Sequence, residues 1–131
     1  MSNAIFPKTK EAALQGNVNL STGTVKAALV SSSYTYNSAH DFYDDVSATV
    51  LGTPQTISSK TFTNGVFDGT DVTFTAVTGG STAKAVILYI DTGTASTSRL
   101  ITYLDGLTNL PLSTNGGDVV ITWDATGIFT I

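Results

Sequence analysis

From Thr24 onward, apolar and polar residues alternate over short runs bounded by Gly, Pro, Asn and Asp, and that period of two predicts strands. In TVKAALVSS (24–32), Val25, Ala27 and Leu29 share one face, with Ala28 and Val30 on the other. In VTFTAVTGG (72–80), Val72, Phe74 and Ala76 lie opposite Thr73 and Thr75, the pattern of a strand with one side buried. AKAVILYID (83–91) is apolar on both faces and predicts a central strand covered on both sides. RLITYLD (99–105) puts Leu100 and Leu104 on one face and Ile101 and Tyr103 on the other. DVVITWD and GIFTI close the chain as two short strands, with Val119, Ile121 and Trp123 on one face.

The breaks between these runs have their own chemistry. Asn64-Gly65 sits between two β-like runs and is the strongest hairpin signal in the chain. VFDGTD predicts a second turn, and GLTNLPLSTNGG a long connection interrupted by proline. SATVLGTP reads as a strand-like piece or a loop, ended by Pro54. Two stretches near the N-terminus differ in period. Lys8 to Leu14 (KTKEAAL) holds good helix formers, with Pro7 and Thr9 at its start and Gly16 as a C-cap. TYNSAHDFYDDV predicts one or two further helical turns.

Together these give an all-β fold of about seven or eight strands with two short N-terminal helices. The expected architecture is a β-sandwich, jelly-roll-like or immunoglobulin-like. The 131 residues fit a single domain, 1–131, with 1–8 as an extended N-terminal arm. A chain of this size buries roughly two thirds of its unfolded surface and needs no metal or disulfide to hold a core.

Composition sharpens the picture. Only 12% of residues are charged, and roughly one in six is Thr, whose branched Cβ suits a pleated surface. The net charge is −4 with 6 Lys plus Arg and no basic cluster, which argues against nucleic acid and against an anionic membrane. There is no Cys, hence no disulfide, thiolate metal site or Cys nucleophile. The N-terminal MSNAIFPKTKEAAL lacks the basic start and apolar core of a signal peptide, and AVILYI (85–90) is too short to span a bilayer. A soluble protein made in the cytoplasm is expected.

Candidate chemistry centres on YTYNSAHDFYDDV, which holds the one histidine, His40, followed by Asp41, Asp44 and Asp45. Zinc usually asks for more than one His or Cys, and the calcium-loop spacing is missing. A structural reading uses more of these residues. Ser38 caps a helical turn with Asp41 three residues on, and Phe42, Tyr43 and Val46 pack inward. Asp68 and Asp71 form an acidic pair, but D-G-x-D between strands is turn chemistry. No G-x-S-x-G elbow or phosphate loop occurs, so no catalytic, cofactor-binding or metal residue is assigned and no enzyme is expected. Trp123 is either a sugar-stacking platform or a core residue, and its alternating strand favours the core. Tyr34 and Tyr36, taken as exposed, either form a contact stripe for a partner or line the sandwich. Ile5 and Phe6, ahead of the first helix, suit an arm that packs on a neighbouring subunit. Ile5, Phe6, Tyr34 and Tyr36 are therefore the candidate partner-binding residues.

Five stretches, in order and spacing, resemble small virion structural proteins of tailed bacteriophages. They are KTKEAALQGNVNLSTGTVKAALV, YTYNSAHDFYDDV, KTFTNGVFDGTDVTFTAVTG, AVILYIDTGTASTSRLITYLD and NGGDVVITWDATGIFTI. The resemblance runs from about Lys8 to Ile131 and carries no catalytic signature. It implies a decoration or cement protein in the virion, bound to the major capsid protein and to copies of itself as a homotrimer. Alternatives are a minor tail or head–tail structural protein, or a displayed carbohydrate-binding or adhesion module.

Overall fold

The computed structural model describes residues 4–130, which are mostly β with one α-helix. The run that is apolar on both faces becomes the longest strand, β6 (Thr82–Asp91). It lies at the centre of a six-stranded antiparallel sheet, between β2 (Thr24–Ser31) and β7 (Leu100–Leu104). The two-residue strand β1 (Ala4–Ile5) pairs with β7 at one edge, and β3 (Val50–Thr56) pairs with β2 at the other. β8 (Leu112–Ser113) pairs with the first two residues of β6. Two small sheets complete the fold. β4 (Val66–Phe67) pairs with β10 (Phe129–Thr130), and β5 (Val72–Phe74) with β9 (Val119–Ile121).

The large sheet divides the core in two. Val25, Ala27 and Leu29 of β2 and Val86 and Leu88 of β6 pack with Phe67, Phe74, Val119, Ile121 and Trp123 of the small-sheet side. Ala28, Val30, Ala85, Ile87 and Tyr89 face the opposite way, where Phe6, Tyr34, Val46, Leu100 and Tyr103 join them. β2 follows the predicted alternation, and β6 is buried on both faces as predicted. The alternation of β6 slips once, at Lys84, where Val30 pairs with Ala85 and Ser31 with Ala83, so that Ala83 joins the first cluster. Burying a Leu or Ile side chain contributes about 1.5–3 kcal/mol. The fully buried Leu29, Ile87 and Leu88 therefore make the β2–β6 pair the anchor of the fold.

The helix α1 (Pro7–Leu14) forms where expected. Gly16 has φ +76, its N–H donates to the Ala13 carbonyl, and the Asn17 N–H donates to the Ala12 carbonyl. This double closure needs a left-handed residue, which Gly supplies without strain.

Several expectations change. The alternation read for β7 fails because Leu88 pairs with Thr102 and Tyr89 with Leu100, leaving Ile101 as an extra residue. That β-bulge sends Ile101 and Leu104 to one cluster and Leu100 and Tyr103 to the other. Ala76 does not share the face of Val72 and Phe74. Its φ of +49 turns the chain, its N–H bonds Asp118 Oδ1, and Val77 takes the core position. Pro54 does not end a strand but lies within β3. There Gln55 pairs with Ala27 and Leu51 with Leu29, so Gly52 to Pro54 bulge out of an outer edge that needs no ladder N–H from proline. The Asn64-Gly65 hairpin closes only at Thr61 and Asp68, which exchange backbone hydrogen bonds around a longer loop. The second helix is replaced by 3₁₀ turns at Tyr43–Asp45 and Ser47–Thr49.

The first described residues do not form a free arm. Ala4 and Ile5 pair with Tyr103 and Thr102, and Pro7 already begins the helix. Residues 1–3 of the expected arm, and Ile131 of the expected last strand, lie outside the described residues.

Candidate functional site

Three of the four candidate partner-binding residues meet in one aromatic cluster on the α1 side of the large sheet. Phe6 is 0% exposed, donates its N–H to the Ile101 carbonyl, and accepts at its own carbonyl from Thr9 and Lys10. Its ring stacks on Tyr36 at 5.2 Å, Tyr36 meets Tyr103 at 5.3 Å, and Tyr103 meets Tyr34 at 5.8 Å. Tyr34 is only 3% exposed, and its hydroxyl lies 2.8 Å from His40 Nδ1. Tyr34 is thus buried rather than exposed, and both tyrosines line the fold instead of forming an outward stripe. The reason lies in the segment after β2, which leaves the sheet at Ser31 and folds back across its face. Ile5 sits apart, in a groove of about 420 Å³ with Lys10, Leu104 and Phe129.

Burial shapes the titration of these groups. It pushes the Tyr34 hydroxyl well above the ordinary phenol range. Burial, then the negative charge of Asp105, pushes Tyr103 up to about 12.

The acidic stretch after His40 is tied down locally. Asp45 Oδ2 accepts from the backbone N–H of Asp41 at 3.0 Å and of Phe42 at 3.4 Å. Burial works to raise the Asp45 pKa, but these N–H donors and the nearby His40 outweigh it and the pKa falls. The cap is therefore Asp45 reaching back, not Ser38 reaching forward, and Asn37 Oδ1 takes the Ala39 N–H. Val46 is buried as expected, Tyr43 stacks on Tyr89 at 4.3 Å, and Phe42 lies under the Arg99 guanidinium at 4.7 Å.

The other acids and the tryptophan are also structural. Asp68 Oδ1 accepts from the Gly69 N–H, and Asp71 Oδ1 from the Trp123 N–H at 3.0 Å. The Trp123 indole donates to the Thr70 carbonyl at 2.7 Å, and the residue is 5% exposed. It therefore offers no open ring face for a sugar. Among the described residues no group of three or more His, Cys, Asp or Glu is placed to hold a metal ion.

Two features lay beyond the sequence reading. Most of the basic side chains serve the fold. Lys60 Nζ clamps the carbonyls of Leu20 and Gly23 at 2.6 and 2.7 Å, Lys26 pairs with Asp91 at 3.0 Å, and Lys84 reaches the Tyr34 carbonyl. Arg99 also donates to the Lys8 carbonyl, and Lys8 pairs with Glu11. Separations of some forty residues or more, as between Lys60 and Leu20, leave no local sequence signal. The second feature is apolar surface. Leu14 is 91% exposed and Phe62 42% exposed. Phe62 borders a notch of about 140 Å³ lined by Leu20, Gly65, Val66, Phe67 and Phe129.

No protein-family model matches the chain, and no curated protein matches it at a significant level. Among the described residues no helix is long and apolar enough to cross a membrane.

Proposed function

We propose that this chain is a structural protein of a tailed-bacteriophage virion that binds the outer capsid lattice, stabilises it, and associates with its own copies. The observation that carries the non-catalytic part of this reading is where the reactive side chains go. His40, Asp45, Asp71 and Trp123 are each bonded into the scaffold, while apolar side chains remain at the surface at Leu14 and Phe62. A domain built this way is suited to holding a shape and meeting a partner. The virion assignment itself rests on the whole-chain resemblance. The two small sheets over one face of the large sheet support a sandwich-like reading of the architecture.

A lattice-bound protein gains stability from its seat, because a partner that binds only the folded state shifts the folding equilibrium. The partners in this reading are the major capsid protein and further copies of the chain, arranged as a homotrimer at a symmetry axis. The test is protein stoichiometry in purified particles. Decoration requires on the order of tens to hundreds of copies per head, in keeping with symmetric assembly. Absence from particles, or confinement to the tail, overturns it.

A further inference from the structure

Two asparagines of the chain stand directly before a glycine, Asn64 and Asn115. Such a pair has a reaction of its own. The glycine nitrogen, stripped of its proton by hydroxide or another base, attacks the asparagine Cγ. A five-membered succinimide closes, the Cγ–Nδ2 bond breaks, and the nitrogen leaves as ammonia. Water then opens the ring at either carbonyl, giving aspartate or isoaspartate. The net change exchanges ammonia for water and needs no other reactant. Glycine in the second place favours the attack because no Cβ shields its nitrogen.

The fold treats the two pairs differently. All four residues are exposed, so access of water and base does not separate them. The attack needs a nitrogen that can give up its proton and a side chain free to swing onto it. At Asn115 both are held. The Gly116 N–H donates to the Val77 carbonyl at 2.8 Å, and Asn115 Oδ1 accepts from the Gly117 N–H at 3.0 Å. The flanks are fixed as well. The Val77 N–H donates to the Gly117 carbonyl at 3.0 Å, and the Thr114 N–H to the Ser81 carbonyl at 2.8 Å.

At Asn64 neither is held. The Gly65 N–H reaches the Phe62 carbonyl only at 3.3 Å, outside the usual range of about 2.7–3.2 Å. Among the described residues the Asn64 side chain makes no hydrogen bond. The loop around it closes at the Thr61–Asp68 bridge. Asn64 has φ +56, a left-handed conformation that Asn and Asp adopt more readily than other residues with a side chain, so the backbone does not bar an aspartate product.

We propose that Asn64 is a site of spontaneous deamidation in the folded protein, while its hydrogen bonds protect Asn115. Either product carries a carboxylate in place of the amide, which adds one negative charge to an already acidic chain. Isoaspartate also inserts a methylene into the main chain of the 3₁₀ turn Thr63–Gly65. Phe62 and Val66, on either side of that turn, then lose their spacing. Both line the apolar notch with Phe67 and Phe129, so the reaction reshapes that patch of surface as the protein ages.

The test is incubation of the whole protein in mildly alkaline buffer made with ¹⁸O water, followed by peptide mapping. Trypsin cutting at Lys60, Lys84 and Arg99 leaves Asn64 and Asn115 in separate peptides. Heavy oxygen is expected in the Asn64 peptide on the order of tenfold faster than at Asn115, where two hydrogen bonds must first be released. In urea the two rates are expected to converge. A second readout is methyl transfer to isoaspartate by an isoaspartyl methyltransferase. Asn64→Gln, whose longer side chain does not close the five-membered ring, is expected to abolish most of that label, with circular dichroism confirming the fold. Equal or reversed rates in the folded protein overturn the proposal. So does a preference that persists unchanged in urea, or methylation indifferent to Asn64→Gln.

Discussion

The Tyr34 hydroxyl and His40 Nδ1 lie 2.8 Å apart, joining a loop histidine to a tyrosine buried against Tyr103. A hydrogen bond of this kind contributes about 0.5–1.5 kcal/mol net. Tyr34→Phe keeps the ring packing and removes the bond, and His40→Ala removes it from the other side. Urea unfolding of both singles and the double is expected to give a coupling energy of about 0.5–1.5 kcal/mol. Additive losses would mean that the pair contributes nothing through this bond.

Phe6 holds the N-terminal segment to the sheet, with its ring on Tyr36 and its backbone on Ile101. Truncating a fully buried aromatic costs about 3–5 kcal/mol. Phe6→Ala is expected to destabilise the whole domain by that amount, seen as a lower urea midpoint with an unchanged slope. A loss under about 1 kcal/mol would show that the segment is a detachable arm after all.

What the sequence makes legible follows from the range of the interaction. Periodicity in β2 and β6 reports burial directly, because each side chain's face is fixed by its position in the strand. Gly16 is legible because a helix end needs a left-handed residue. The Ile101 bulge is not, since it depends on the register against β6, and a local pattern holds no record of register. The segment from Thr35 to Val46 reads as helical because its aspartates and aromatics suit a capped turn. Its conformation is instead set by long-range contacts, such as Tyr43 on Tyr89 and Phe42 under Arg99. Placing Tyr34 and Tyr36 outside fails for the same reason. Lys60 and the Phe62 notch gain meaning only once distant segments are brought together.

Acid should destabilise the domain through named aspartates. Burial works against Asp45, but the Asp41 and Phe42 N–H groups hold its pKa below the usual value. The Gly93 N–H and then Lys26 lower Asp91, and the Thr126 N–H and hydroxyl lower Asp124. A depressed carboxylate stabilises the fold fully above its unfolded pKa of about 3.8, and that contribution is lost as pH falls through the folded value. The urea midpoint is expected to hold between pH 7 and pH 5 and to fall below about pH 4. Asp45→Asn with Asp91→Asn should flatten the fall; an unchanged profile in that double variant would remove these two from the account.

Alkali acts through the tyrosines with the opposite sign. Burial raises the pKa of Tyr34, Tyr36, Tyr43, Tyr89 and Tyr103 above 10.0, with Tyr103 at about 12. These are all five tyrosines of the chain. A group whose folded pKa is raised stabilises the fold fully below its unfolded value, and the contribution is lost as pH climbs through the folded one. Between about pH 10 and 12 the unfolded chain releases protons that the folded chain keeps, so stability declines across that window. Phenolate absorbance in the native protein is expected to stay low at pH 10 and then rise together with the loss of circular dichroism. In urea the same five groups should titrate near their ordinary value. A native titration centred at pH 10 with the fold intact would place these hydroxyls in solvent and contradict the cluster that joins Phe6, Tyr34, Tyr36 and Tyr103.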